Sequence, residues 1–132
     1  MPLSKTVQHD LANLDPQLRA VARDIIRRLA VEPGLGEHHS HGWLSTIGAL
    51  RVRFDRADDP RRLLDEHGAA RPGSRYQQRR WRVIYKPYTI TRGGASIQLI
   101  EIVAIGDAHP HPGADTVYRI AQHRLRASRS RT

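Results

Sequence analysis

The chain has 132 residues and a mass of 15.0 kDa, with 39% hydrophobic and 27% charged residues, a balance that supports one buried core and excludes a disordered polyelectrolyte. The absence of cysteine excludes a disulfide framework, thiolate metal sites and a cysteine nucleophile. The longest apolar run, around Ile102–Ile105, is broken by Glu101, and Met1-Pro2-Leu3-Ser4-Lys5 contains no apolar signal core, so a soluble cytoplasmic protein is expected.

The elements follow in chain order. Val7, Leu11 and Leu14 recur at i, i+4 and i+7 behind Ser4, which predicts a first helix with a serine N-cap. Asp15-Pro16 predicts the start of a second helix, with proline where its missing N–H does no harm. Leu18, Val21, Ala22, Ile25, Ile26 and Leu29 form its core-facing stripe, and Pro33-Gly34 ends it, completing an αα-hairpin. From Ala49 the period becomes two. Leu50, Val52 and Phe54 alternate with Arg51 and Arg53, giving a short strand with one apolar and one basic face. A second strand is expected from Trp81 to about Tyr88, then a turn at Thr91-Arg92-Gly93-Gly94. The nearly continuous Ile97–Ile105 run is expected to be a central strand buried on both faces. A Gly/Pro-rich loop over residues 106–113 leads to a last helix from about Asp115 to Leu125, and residues 126–132 read as a frayed basic tail.

These elements make an α+β domain over residues 1–132: an N-terminal helical hairpin and a C-terminal helix packed on a small, mainly antiparallel sheet of three to four strands. Residues 55–80 do not fit that plan. They hold a short helix candidate, Pro60–His67, capped by Asp59 and stopped by Gly68, followed by an aperiodic Arg/Gly/Gln stretch. The segment reads as an insertion hanging off the sheet.

Charge is one-sided. Residues 1–70 carry ten basic and ten acidic side chains, whereas 71–132 carry twelve and three, which accounts for the whole net charge of +9. No acid lies between Glu66 and Glu101, a span containing Arg71, Arg75, Arg79, Arg80, Arg82, Lys86 and Arg92. Such asymmetry marks a polyanion binder, and arginine, which supplies 20 of the 22 cations, fits phosphate with a planar fork.

Trp81-Arg82-Val83-Ile84-Tyr85, the apolar strand closing on Ile105-Gly106, and the Val117–Leu125 segment together resemble the RelE/ParE-type toxin superfamily of toxin–antitoxin systems. The Leu14-Asp15-Pro16 hairpin and Leu50–Phe54 are similar to its earlier elements. The resemblance implies a ribosome-dependent mRNA endoribonuclease that inhibits translation without metal or cofactor, held in check by a cognate antitoxin protein. It implies that Arg51 and Arg53 clamp phosphate, that Arg82 stabilises the transition state, and that Tyr118 stacks on a base or moves a proton. Lys86 and Arg124 extend the RNA-contacting set. The family's RNA-cleaving members carry a basic residue just after the Ile-Gly; here Asp107-Ala108 stands there, and His109 or His111 is the expected substitute. The family also begins with a strand, whereas this chain starts in a helix. That leaves a sheet edge that an antitoxin or a second copy, in a homodimer, could fill.

The residues alone admit blander readings. Arg51 and Arg53 suit a solvated strand face, Tyr118 a core aromatic with its hydroxyl at the rim, and His109 and His111 ordinary loop composition. The run Glu37-His38-His39-Ser40-His41 lacks regular metal-ligand spacing and reads chiefly as a polar loop, with a place on the substrate rim and zinc or nickel binding as its lesser readings. Two alternatives stand beside the nuclease: a ParE-like inhibitor of DNA gyrase without RNA chemistry, and a catalytically reduced RNA-binding relative.

Overall fold

In the computed structural model, which describes residues 3–39, 42–66 and 78–130, local sequence chemistry sets the first two helices. α1 (Lys5–Ala12) starts at Ser4, whose hydroxyl accepts from the Val7 N–H at 3.3 Å. α2 (Pro16–Val31) starts at Asp15, whose carboxylate accepts from the Leu18 N–H at 3.0 Å. That bond, with the nearby Arg56, holds the Asp15 carboxyl below its ordinary range. Arg19 then donates to the carbonyls of Leu11, Ala12 and Leu14, tying the C-terminal end of α1 to α2.

A 3-10 turn (Pro33–Leu35), β1 (Glu37–His38), α3 (Trp43–Thr46), β2 (Leu50–Phe54), α4 (Pro60–Glu66), β3 (Trp81–Arg92), β4 (Ala95–Asp107) and α5 (Val117–Ser130) complete the described elements. The four strands form one antiparallel sheet in the order β1-β2-β3-β4. The chain is thus α+β, with helices on a small antiparallel sheet. Gly93 and Gly94 turn β3 into β4 with φ of 59° and 82°, left-handed values that glycine adopts at little cost.

Helices cover the sheet on both faces. On one face α1, α2 and α4 bury Val7, Leu11, Leu18, Ile25 and Leu29 against Leu50, Val52, Phe54, Val83 and Tyr85. On the other, α3 and α5 bury Leu44, Val117, Ala121 and Leu125 against Ile84, Val103 and Ala104. The switch of face along β4 is made by a bulge: Ile84 pairs with Ala104 but Tyr85 with Ile102, leaving Val103 as the extra residue.

The structure corrects several expectations. The Ile97–Ile105 run is not a central strand: β4 lies at the sheet's edge, and the interior positions belong to β2 and β3. Its apolar second half is buried because helices reach it from both faces, while residues 95–99 are exposed. Residues 55–66 do not hang off the sheet. α4 drives Leu63 and Leu64 into the first core, and Arg28 of α2 binds Asp65 and the Arg61 carbonyl. Asp58 and Arg79, near the two ends of the 55–80 segment, are joined by bonds of 2.7 and 2.8 Å. His67, Gly68 and the following residues up to 77 lie outside the described residues. β1 pairs along the outer edge of β2, so Glu37 and His38 are strand, not polar loop. Finally, α5 continues to Ser130 through most of the expected tail.

Candidate functional site

β2 alternates because its apolar residues face the α1/α2 core, which leaves Arg51 and Arg53 on the face covered by α5. Arg82 stands directly across from Arg53 on β3, on that same face. Three guanidinium groups this close repel one another, and Glu37 offsets them. It sits opposite Arg51 in the β1–β2 register. Its Oε1 accepts from Arg53 Nε at 2.8 Å and lies 3.2 Å from Arg51 Nε, while its Oε2 lies 3.5 Å from Arg53 Nη2. Burial works against the Glu37 charge, but the Arg53 hydrogen bond and both guanidinium charges outweigh it and hold the carboxyl below its ordinary 4.5.

Tyr118 closes the cluster from above. Val117 and Ala121 anchor the first turn of α5 in the second core, and this aims Tyr118 at the arginines. Its hydroxyl oxygen accepts from Arg82 Nε at 2.8 Å and from Arg51 Nη1 at 3.1 Å. The Arg51 guanidinium also lies 5.5 Å from the Tyr118 ring centroid. His39, one residue past β1, meets that ring edge-on at 5.6 Å.

Exposure separates the roles open to these residues. Arg82 is 3% exposed, and its Nη1 donates to the carbonyls of Arg79 (2.6 Å) and Trp81 (3.0 Å). Burial lowers its pKa and Tyr118 opposes that shift. In this arrangement Arg82 holds Tyr118. Arg51 and Tyr118 instead line a pocket of about 370 Å³ together with His39, Trp43, Leu44 and Gln122.

Of the residues expected to form a site, Arg51, Arg53, Arg82 and Tyr118 come together; the others do not join them. Lys86 shares the Arg82 face but lies four residues further along β3, roughly 13 Å at strand rise, opposite Glu101. Arg124 turns away to Asp10 of α1, at 2.7 and 2.9 Å. His109 and His111 are exposed on the loop before α5. The His109 backbone is fixed by Asp107 and Arg80, and Arg80 also binds the Asp107 carboxylate. Burial opposes that carboxylate's charge, but Arg80 and the His109 N–H keep it below its ordinary range.

Trp43 and Gln122 do not stand out as site residues in the sequence, and Glu37 and His39 belong to a run read chiefly as a polar loop, with metal binding and a place on the substrate rim as its lesser readings. Glu37 left one trace, being the sole acid between Glu32 and Asp55, just ahead of a doubly basic strand. Gln122 follows Tyr118 by four residues and so shares its helix face. Among the described residues no group of three or more His, Asp or Glu side chains is placed to hold a metal ion, and no helix is long and apolar enough to cross a membrane. The chain matches no protein-family model, no curated protein and no solved structure.

Proposed function

We propose that the chain is an mRNA endoribonuclease of the RelE-like kind, the toxin of a toxin–antitoxin pair, acting in the cytoplasm on transcripts held by the ribosome. One observation carries the reading: Tyr118 lines a pocket of about 370 Å³ while its hydroxyl accepts hydrogen bonds from two guanidinium groups. A phenol oxygen has two lone pairs and one proton. With both lone pairs taken, Tyr118 can only donate.

A donor is what strand cleavage needs at the leaving group. The ribose 2′-oxygen attacks its own 3′ phosphate, the O2′–P bond forms, the P–O5′ bond breaks, and a 2′,3′-cyclic phosphate remains. Tyr118 gives its proton to the departing O5′. Arg51, in the same pocket, faces the negative charge on the phosphorane oxygens. His39 is the pocket group of the right type to accept the 2′ proton. Arg82, Arg53 and Glu37 are positioning residues behind these. The cationic excess of residues 71–132 supports an acidic antitoxin partner and RNA binding alike.

The test is 5′-end mapping of transcripts in a translating extract supplied with the purified chain. New ends that vanish with Tyr118→Phe support the reading, and intact transcripts overturn it. A ParE-like reading is favoured by a different fact, the commitment of Arg53 and Arg82 to internal partners. Inhibition of gyrase supercoiling with transcripts left whole would select it.

A further inference from the structure

The pocket beside Tyr118 has more structure than phosphate chemistry requires. Trp43 forms one wall, and the Arg126 guanidinium lies 5.0 Å from the centroid of its ring. With its amide oriented to satisfy both groups, Gln122 accepts from Arg126 Nη2 at 3.1 Å. Trp43, Arg126 and Gln122 therefore brace one another, across the join between α3 and α5. The Gln122 carbonyl is committed to Arg126, which leaves its NH₂ group as a donor for something else. Tyr118 and His39, their rings edge to face, also line the pocket, and Leu44 adds an apolar side chain. A phosphate would need none of these aromatic and apolar walls. They suit a flat, weakly polar ring with hydrogen-bond acceptors on its edge.

We propose that this pocket is a nucleobase subsite, with Trp43 as its aromatic wall and Gln122 as the donor that reads the base edge. A splayed-out base of single-stranded RNA is the ligand that combines such a ring with a phosphate at arm's length, where Arg51 stands. The proposal rests on the nuclease reading in placing the phosphate at Arg51. It goes further in assigning base selection to α3 and the second turn of α5.

The chain has two tryptophans, so Trp81→Phe leaves Trp43 as the sole tryptophan, excited selectively at wavelengths too long for the tyrosines. That variant is titrated with the four ribonucleoside monophosphates, and with ribose 5-phosphate as the base-free control. Saturable quenching by nucleotides and none by ribose 5-phosphate is expected. Gln122→Ala should reorder the four affinities, and Trp43→Ala should weaken binding of a short single-stranded RNA roughly 5- to 150-fold, the range spanned by one base–aromatic stack. Quenching by no nucleotide, or equal quenching by ribose 5-phosphate, overturns the subsite. Should Trp81→Phe not fold, fluorine NMR of the unmutated chain carrying fluorotryptophan gives the same answer, since only the Trp43 resonance should shift. The transcript assay on the same protein separates the two readings. Cleavage without quenching removes the subsite and keeps the nuclease; quenching without cleavage does the reverse.

Discussion

Arg124 of α5 grips Asp10 of α1 around the outer edge of β4, Nη1 to Oδ2 at 2.7 Å and Nη2 to Oδ1 at 2.9 Å. The two helices lie on opposite faces of the sheet, so the pair closes the edge between them. Asp10 also accepts from the Ile105 N–H at 3.0 Å, and Arg124 donates to the Val103 carbonyl at 3.0 Å. Backbone groups that would invite another strand are thereby satisfied from within. Asp10→Ala and Arg124→Ala should each cost about 1.5–3 kcal/mol, the scale of hydrogen bonds to charged groups, and their effects should be far from additive in a double-mutant cycle. Urea unfolding measures this. Additive losses would mean that the contact across the edge contributes nothing of its own.

Glu37 makes stability depend on acid pH. Its carboxyl titrates below 4.5 when folded, so in that range the unfolded chain binds more protons than the native one. The stabilisation is fully present above 4.5 and disappears as the pH falls through the folded value. Glu37→Gln should flatten this acid limb in unfolding free energies measured between about pH 3 and 6. Asp15 and Asp107 are shifted in the same direction, so a residual slope should remain.

Where the chain's local chemistry sufficed, the fold was legible. Ser4 and Asp15-Pro16 mark helix starts because caps act within three residues, and Leu50–Phe54 shows its two faces by alternation. β1 was not legible, because Glu37 and His38 become strand only by pairing with β2, thirteen residues on. The apolar run of β4 suggested a central strand because sequence records how much is buried, not whether a neighbouring strand or a pair of helices buries it. Leu63 and Leu64 sit in a helix of seven residues, too short to show a period. Within the site, Arg51, Arg53 and Arg82 could be read from strand alternation and charge, and Tyr118 only from a resemblance. The carboxylate that organises them depends on tertiary register, and the outward turn of the loop bearing His109 and His111 leaves no mark in composition.

Tyr85 and Gly36 form a second buried contact with a measurable signature. The Tyr85 hydroxyl donates to the Pro33 carbonyl at 2.8 Å and accepts from the Gly36 N–H at 2.7 Å. Burial pushes its pKa up to about 12, against the Gly36 bond. Between pH 10, its ordinary value, and about 12 the unfolded chain loses this proton first, so stability falls as the pH rises through that window. Tyr85→Phe should remove this alkaline step and cost about 1–3 kcal/mol at neutral pH through the two unmet backbone groups. Gly36 is required for space, since a Cβ there would lie 2.3 Å from the Tyr85 hydroxyl oxygen. Gly36→Ala should therefore be at least as costly. Thermal or urea unfolding across pH reads all three effects.

The division of labour between Arg82 and Tyr118 gives the sharpest test of the site. Arg82 is buried, and its Nε bonds the Tyr118 hydroxyl oxygen while its Nη1 is held by two carbonyls. If the chain cleaves RNA as proposed and Arg82 acts through Tyr118 alone, then Arg82→Ala, Tyr118→Phe and the double variant should all lose cleavage to a similar extent, on the order of 10²–10⁴-fold as for a missing general acid. Losses that multiply in the double variant would show that Arg82 reaches the phosphate itself and that the buried arrangement opens on binding. Arg82→Lys should not rescue activity, because one ammonium cannot reproduce bonds made in two directions by a planar fork. Circular dichroism on each variant ensures that the losses belong to chemistry and not to folding.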